Sequence, residues 1–270
     1  MQGRILIIAG SDSGGGAGIQ ADIKTVTALG GYAATALTAL TAQNTESVAR
    51  IEAISASFVR QQMETVLADI GADALKTGML HTAEIVETVV RVIEEKAPSV
   101  PLVVDPVIVA KGGEALLDGP GIKMLKDRLL LRASVMTPNL PEAEVLTGLS
   151  ITSPGDLEHA AQALLALGSK AVLLTGGHLK EKTVRDVLAT PDCIEVFEGP
   201  RIETLHTHGT GCTLASAIAT GLAQGLALRD AVLRARIYVQ EAIRTAPGFG
   251  RGYGPLNHGH PLSDQKESVT

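Results

Sequence analysis

Short aliphatic runs alternate along the chain with stretches of helical spacing. Residues 4–9 carry the run Ile5-Leu6-Ile7-Ile8 and predict a buried strand. A glycine loop follows, and residues 17–29 then read as a helix. A strand is expected near residues 32–40. Residues 57–69 have helical spacing through Phe58, Met63, Val66 and Leu67, on to Ile70. Residues 74–79 predict a strand ending in Gly78-Met79. Residues 82–96 predict a helix capped by Thr82, with Ile85, Val86, Val89, Val90 and Ile93 on its apolar face. Residues 101–104 predict a buried strand running into Asp105-Pro106. A loop opened by Lys111-Gly112-Gly113, with Gly119, Pro120 and Gly121 beyond, reads either as a mobile flap or as a plain surface connection. Residues 134–137 are expected as a strand, followed by a helix from Pro141 that carries Glu142 and Glu144. Further on, residues 154–167 predict a helix and 171–174 a strand ending in Thr175-Gly176-Gly177-His178. Residues 185–189, 193–197 and 202–205 read as short strands. A helix after Gly209 and a last one over 228–244 close the pattern, and residues 247–260 predict no regular structure.

This alternation implies an α/β fold: a mostly parallel central sheet with helices on both faces, a three-layer α/β/α sandwich. No linker, repeat or low-complexity block divides it. Residues 1–270 are therefore expected to form a single domain with its core at about 4–256. In such sheets ligands bind beyond the carboxyl ends of the strands. The polar and glycine residues collect there: 10–18, Gln43-Asn44, Gly78-Met79, Asp105-Pro106, Asn139 to Glu142, 175–178 and 208–212. Composition changes this picture in two ways. Aromatics are 2% with no Trp, so aliphatic side chains and Ala must fill the core. The net charge of −6 leaves no electrostatic case for nucleic acid or an anionic membrane, so any phosphate binding must be local. No run approaches a membrane span, and Ile5-Leu6-Ile7-Ile8 is too short for a signal-peptide core. Two cysteines make no disulfide framework, and a reducing cytoplasm is expected.

The chemistry centres on residues 206–219, His-Thr-His-Gly-Thr-Gly-Cys-Thr-Leu-Ala-Ser-Ala-Ile-Ala. Gly209 and Gly211 suit a tight turn, and Thr210 or Thr213 could cap the helix that follows. A helix N-terminus with bare glycine amides is a ready anion site. Cys212 in that positive field is expected to favour thiolate. The alternative is a glycine turn before a buried helix, with Cys212 a small core residue. Gly16-Ala17-Gly18-Ile19-Gln20-Ala21 matches the G-x-G-x-x-A dinucleotide pattern only formally. Its glycines begin several residues after the strand, and no carboxylate ends the next strand to hold a ribose. No G-x-x-x-x-G-K-[ST] occurs. His206, His208, His258 and His260 lack further ligands at metal-site spacing.

Seven segments in order resemble the hydroxymethylpyrimidine/phosphomethylpyrimidine kinases of thiamine biosynthesis, of the ribokinase-like superfamily. They are 9–22, Ala42-Gln43-Asn44-Thr45, Gly78-Met79-Leu80, Asp105-Pro106-Val107, 137–144, Gly176-Gly177-His178 and 207–213. The resemblance runs from about Ile5 to Leu256. It implies a ribokinase-like fold, ATP and Mg2+ as cofactors, and a homodimer with its site near the interface. The activity implied is two successive phosphorylations of 4-amino-5-hydroxymethyl-2-methylpyrimidine, to the monophosphate and then the diphosphate. A short flap would cover residues 107–117. By resemblance Cys212 is the base for the hydroxymethyl group, and Gly209, Thr210, Gly211 and Cys212 cradle the transferring phosphoryl group. Gln43 binds the pyrimidine, its amide able to donate and accept along the aminopyrimidine edge. Gly10 and Asp22 face the same pocket, and Met79 and Val107 sandwich the ring. Asp105, Asn139, Thr175 and Gly177 lie along the ATP phosphates. Glu142 and Asn139 help place Mg2+ through water. Thr175 departs from the family's Lys before Gly-Gly-His, and Ile108 from its Met after Asp-Pro-Val. The rival readings are a vitamin B6 kinase of the same superfamily and a non-catalytic ligand-binding module.

Overall fold

The computed structural model describes residues 2–110 and 113–263. In chain order the elements are β1 (Arg4–Asp12), α1 (Gly18–Ala28), β2 (Tyr32–Gln43), β3 (Val48–Ala53), α2 (Ala56–Asp69), β4 (Ala74–Thr77) and α3 (Ala83–Lys96). Then come β5 (Leu102–Val104), α4 (Gly119–Met124), β6 (Val135–Met136), α5 (Leu140–Thr147), α6 (Leu157–Leu165) and β7 (Val172–Thr175). The chain closes with β8 (Thr183–Ala189), β9 (Ile194–Pro200), α7 (Thr210–Ala223), α8 (Leu228–Arg244) and the short α9 (His260–Ser263).

One nine-stranded sheet has the order β3-β2-β1-β4-β5-β6-β7-β8-β9. The run from β2 to β7 is parallel, and antiparallel strands close both edges. The strand alternation sorts two cores. Leu6, Ile8, Leu75, Val104 and Met136 face a core closed by α2, α3, α5 and α6. Ile5, Ile7, Ala74, Val103 and Val135 face the other, closed by α1, α7 and α8. This is the three-layer α/β/α arrangement, with the period of two along each strand deciding which face a side chain serves. Helix α7 lies deepest. Ala215, Ala217, Ile218 and Ala219 are fully buried, and small side chains let it lie close to the sheet.

Several boundaries differ from expectation. Strand β3 was not expected: its side chains are exposed or half-exposed, so no apolar pattern marks it, and pairing with β2 alone makes it a strand. The glycines at 119 and 121 do not end in loop. Asp118 caps α4 by accepting from Gly121 N–H at 2.7 Å, and Pro120 sits in the first turn, where its missing N–H costs nothing. The helix runs on through a π turn (Leu125–Leu129) and a 3-10 turn (Leu130–Arg132). The helix expected over 154–167 begins as a 3-10 turn, Pro154–Asp156. Residues 202–205 are not a strand. Of the expected flap, Lys111 and Gly112 lie outside the described residues. The flanks 108–110 and 114–117 form a narrow hairpin, with Val109 bridged to Ala115.

Candidate active site

Strand order turns about β1: the chain places β2 on one side of it and β4 on the other. A crevice opens at such a switch point, at the strands' carboxyl ends. The first turn of α7 enters it. Gly209 is the helix's N-cap at φ 85°, and a Cβ there would lie 1.8 Å from Gly16 O. Only glycine lets this turn meet the Gly14–Gly18 loop so closely. No side chain caps the helix. Thr210 Oγ1 donates instead to Thr207 O at 2.8 Å, and Thr213 Oγ1 to Gly209 O at 2.8 Å. The first-turn amides of Gly211 and Cys212 therefore remain for an anion or water.

Behind that turn sits a buried charge cluster that the sequence reading missed. Lys76, on β4, is 0% exposed. Its Nζ donates to both carboxylate oxygens of Asp22 at 2.9 Å and lies 4.0 Å from Asp105 Oδ2. Burial works against its charge, yet Asp22, Cys212 and Asp105 carry its pKa above the ordinary lysine value. A Lys in the middle of a four-residue strand gives no periodic signal; only the converging carboxylates reveal its role. Asp22 is likewise 0% exposed and also accepts from Ser216 Oγ at 2.6 Å. Its expected position facing the substrate pocket is thus corrected: its carboxylate is buried beneath the floor and spent on Lys76 and Ser216.

Asp105, 4% exposed, directly follows β5, and the neighbouring Cys212 thiol acts to lower its pKa. Burial, with the nearby Asp22 and against the pull of Lys76, pushes its carboxyl up to about 6. Its Oδ2 has no hydrogen-bond partner among the described residues, Lys76 Nζ lying 4.0 Å away. Cys212 is half-buried. Burial raises its thiol above the ordinary range; Lys76 opposes this, Asp105 and Asp22 add to it. The expectation that the helix field favours thiolate is opposed in the structure: desolvation, with Asp105 and Asp22, shifts the group toward the thiol, against the pull of Lys76.

Beyond Asp105, Asn139 and Glu142 open α5 with a reciprocal capping box, each side chain accepting the other's backbone N–H at 3.0 Å. Burial and Asp105 hold the Glu142 carboxyl well above its ordinary range. Thr175 ends β7 in a bridge with Asn139, so it does lie on this rim, but it brings no charge. Gly177 is exposed, and its carbonyl accepts from Arg201 Nη2 at 3.1 Å.

On the opposite side of the α7 turn, Gln43 ends β2. Its backbone N–H donates to Ser13 Oγ at 2.8 Å, and its Oε1 accepts from Thr41 Oγ1 at 3.2 Å. His208 Nε2 lies 2.9 Å from Asp12 Oδ2 and 3.4 Å from Gln43 Nε2. Asp12 also accepts the backbone N–H groups of Gly14, Gly16 and Ala17 at 2.8–3.0 Å, so it organises the glycine loop from beneath. Asp12 was given no role from sequence, and His208 was weighed there only as a metal ligand. Met79 and Val107 belong to one small apolar cluster with Ala39, Leu116 and Ala110. Gly10 leaves room for Met79: a Cβ there would meet Met79 Cε at 2.4 Å. These groups lie at or just beyond the carboxyl ends of β1, β2, β4, β5 and β6, on the rim that the first turn of α7 enters.

Fold and site together are those of a ribokinase-like small-molecule kinase. The family model described as phosphomethylpyrimidine kinase matches residues 12–257, and the chain belongs to that family. It is 46% identical to the hydroxymethylpyrimidine/phosphomethylpyrimidine kinase of Streptomyces coelicolor, over 96% of each chain. It is 50% identical to the thiamine biosynthesis bifunctional protein of Geobacter sulfurreducens over 95% of this chain, which spans 52% of that longer protein. Among solved structures, the ADP complex of Bacillus subtilis pyridoxal kinase superposes with a TM-score of 0.88 at 36% identity, covering 96% of this chain and 98% of that one.

Proposed function

We propose that the protein phosphorylates the hydroxymethyl group of 4-amino-5-hydroxymethyl-2-methylpyrimidine from ATP, and then phosphorylates the monophosphate to the diphosphate, in thiamine biosynthesis. The observation that carries this is the uncapped first turn of α7, with the Cys212 thiol between it and Asp105. Phosphoryl transfer is mostly positioning and charge neutralisation, and this turn supplies both. The Gly209–Cys212 backbone holds the transferring group. Gln43 reads the amino and ring-nitrogen edge, and Met79 and Val107 clasp the ring faces beside Gly10. Cys212 in its thiolate form takes the hydroxyl proton as the oxygen attacks the γ-phosphorus of ATP and the bond to the bridging oxygen breaks, releasing ADP.

The rim fits Mg2+ carried with the nucleotide. Asp105 and Glu142 are buried carboxylates with raised pKa values, and Asp105 Oδ2 accepts no hydrogen bond among the described residues. Glu142 and Asn139 would hold the ion through water, consistent with its preference for oxygen ligands and retained waters. When bound, the ion neutralises phosphate charge. Asp105, Thr175 and Gly177 line the proposed ATP-phosphate side, and Lys76 balances the carboxylates from beneath.

Gln43 favours the aminopyrimidine over pyridoxal, and the pyrimidine-kinase relatives are the more similar in sequence. A coupled kinase assay with the hydroxymethylpyrimidine, its monophosphate and pyridoxal tests the reading. Turnover of both pyrimidines is expected. Preference for pyridoxal, or no turnover, overturns it. The family resemblance also supports a homodimer in the cytoplasm, to be tested by sedimentation of the purified protein and by cell fractionation.

A further inference from the structure

The segment 247–255 reads from sequence as an irregular tail, and the mechanism above gives it no task. In the structure it is closely fitted. Tyr253 N–H donates to Thr45 O at 2.8 Å, Gly252 N–H to Thr45 Oγ1 at 3.2 Å, and His208 N–H to Gly254 O at 3.1 Å. His208 and Pro255 form a parallel bridge. The approach leaves no space for side chains. A Cβ at Gly252 would lie 2.1 Å from Thr45 O, and one at Gly254 would lie 2.3 Å from His206 Nδ1. Alternate glycines thus lay this backbone against two turns at once: the one just after Gln43, and the one that leads into α7. A cleft remains where these parts meet, and Gln43, Ala110, Glu114, His208 and Tyr253 are among its lining residues.

We propose that residues 249–255 form a wall of the pyrimidine site and that Tyr253 is a specificity-determining residue, its ring closing the site against the substrate's edge beside Gln43. This rests on the pyrimidine-kinase reading. In that reading Met79 and Val107 clasp the ring faces and Gln43 meets the polar edge, which leaves the rim of the site beside Gln43 to be closed against water. Tyr offers a rigid aromatic face with two torsions to fix. The chain holds only three Tyr, three Phe and no Trp, and this Tyr stands beside Gln43. Tyr253 is 42% exposed, so surface remains for a ligand to cover.

The test measures kcat and KM for the hydroxymethylpyrimidine, KM for ATP and the melting temperature in wild type, Tyr253→Ala, Tyr253→Phe and Gly252→Ala. Tyr253→Ala is expected to raise the pyrimidine KM about tenfold, with kcat and the ATP KM within about twofold. Tyr253→Phe, which keeps the face, should restore the wild-type KM. Gly252→Ala, which pushes the wall away from Thr45, should raise the same KM. A folded Tyr253→Ala with an unchanged pyrimidine KM, or with an equal rise in the ATP KM, overturns the assignment alone. A wild-type protein that turns over no pyrimidine sinks the functional reading and this assignment with it.

Discussion

Cys212 is the residue whose chemistry the structure changed most. A thiol raised by burial works as a base only once its proton has left, so alcohol phosphorylation should climb with pH through the alkaline range. The monophosphate already offers a charged oxygen and needs no base. Cys212→Ala is therefore expected to lose about 10²–10⁴-fold on the alcohol and far less on the monophosphate. Separate assays of the two substrates across pH check this, and equal losses would make Cys212 a shaper of the turn. Asp105 carries a cost in stability for the sake of its site. Its folded pKa, about 6, exceeds the 3.8 of an ordinary Asp, so its contribution is present below 3.8 and lost as pH rises through 6. Asp105→Asn should then raise stability at pH 8 by up to about 3 kcal/mol while lowering kcat, the gain fading toward pH 4. Denaturant melts at both pH values measure it. A variant less stable than wild type at pH 8 would show that Lys76 depends on this carboxylate more than burial penalises it. Gln43→Ala should cost about 1–3 kcal/mol in kcat/KM for the pyrimidine with the melting temperature unchanged. An unchanged kcat/KM removes Gln43 from the site.

At the scale of the element, the opening turn of α7 separates backbone shape from anion binding. Gly209→Ala forces a Cβ into Gly16 O at a positive φ, so both phosphorylations and the melting temperature should fall together. A Cβ at Gly211 would meet, outside its own helix backbone, only the Asp105 oxygens within 4 Å among the described residues, at 3.7 and 3.8 Å. Gly211→Ala should keep the fold yet crowd the anion, lowering both phosphorylations at a near-wild-type melting temperature. If Gly211→Ala is fully active, the transferring group does not sit on this turn. The elements readable in advance were those with one buried face. The apolar stripe of α3 and its Thr82 cap were plain, because Thr82 Oγ1 accepts from Ile85 N–H at 3.3 Å next to a regular periodic run. Strand β3 was invisible because neither of its faces is buried, and α4 because glycines at 119 and 121 masked a helix that Asp118 caps.

For the whole molecule, the tail ties the C-terminus to the centre. His258 is 4% exposed, pairs with Thr213 Oγ1 at 2.9 Å, and its carbonyl accepts from Tyr238 at 2.7 Å. Burial, with Lys24 nearby, lowers its pKa from 6.5 to about 4. Between those values the unfolded chain takes up a proton that the folded chain refuses. Its contribution is thus present above 6.5 and lost as pH falls toward 4, by up to about 3 kcal/mol. Asp105 and Glu142 act in the opposite sense, so wild type and His258→Gln must be compared at each pH. The variant should lose less stability than wild type between pH 7 and 5; an identical loss excludes His258 as the source. The sequence by itself determined the alternation of strand and helix, the collection of glycines and polar residues on one rim, and the family motifs, because all are local in the chain or ordered along it. Only the tertiary structure decided that Asp22 is a buried partner of Lys76, that burial and neighbouring carboxylates raise the Cys212 thiol, and that the tail packs on the turns beside Gln43 and His208. Each depends on desolvation or on contacts between residues far apart in sequence, and no periodicity records either.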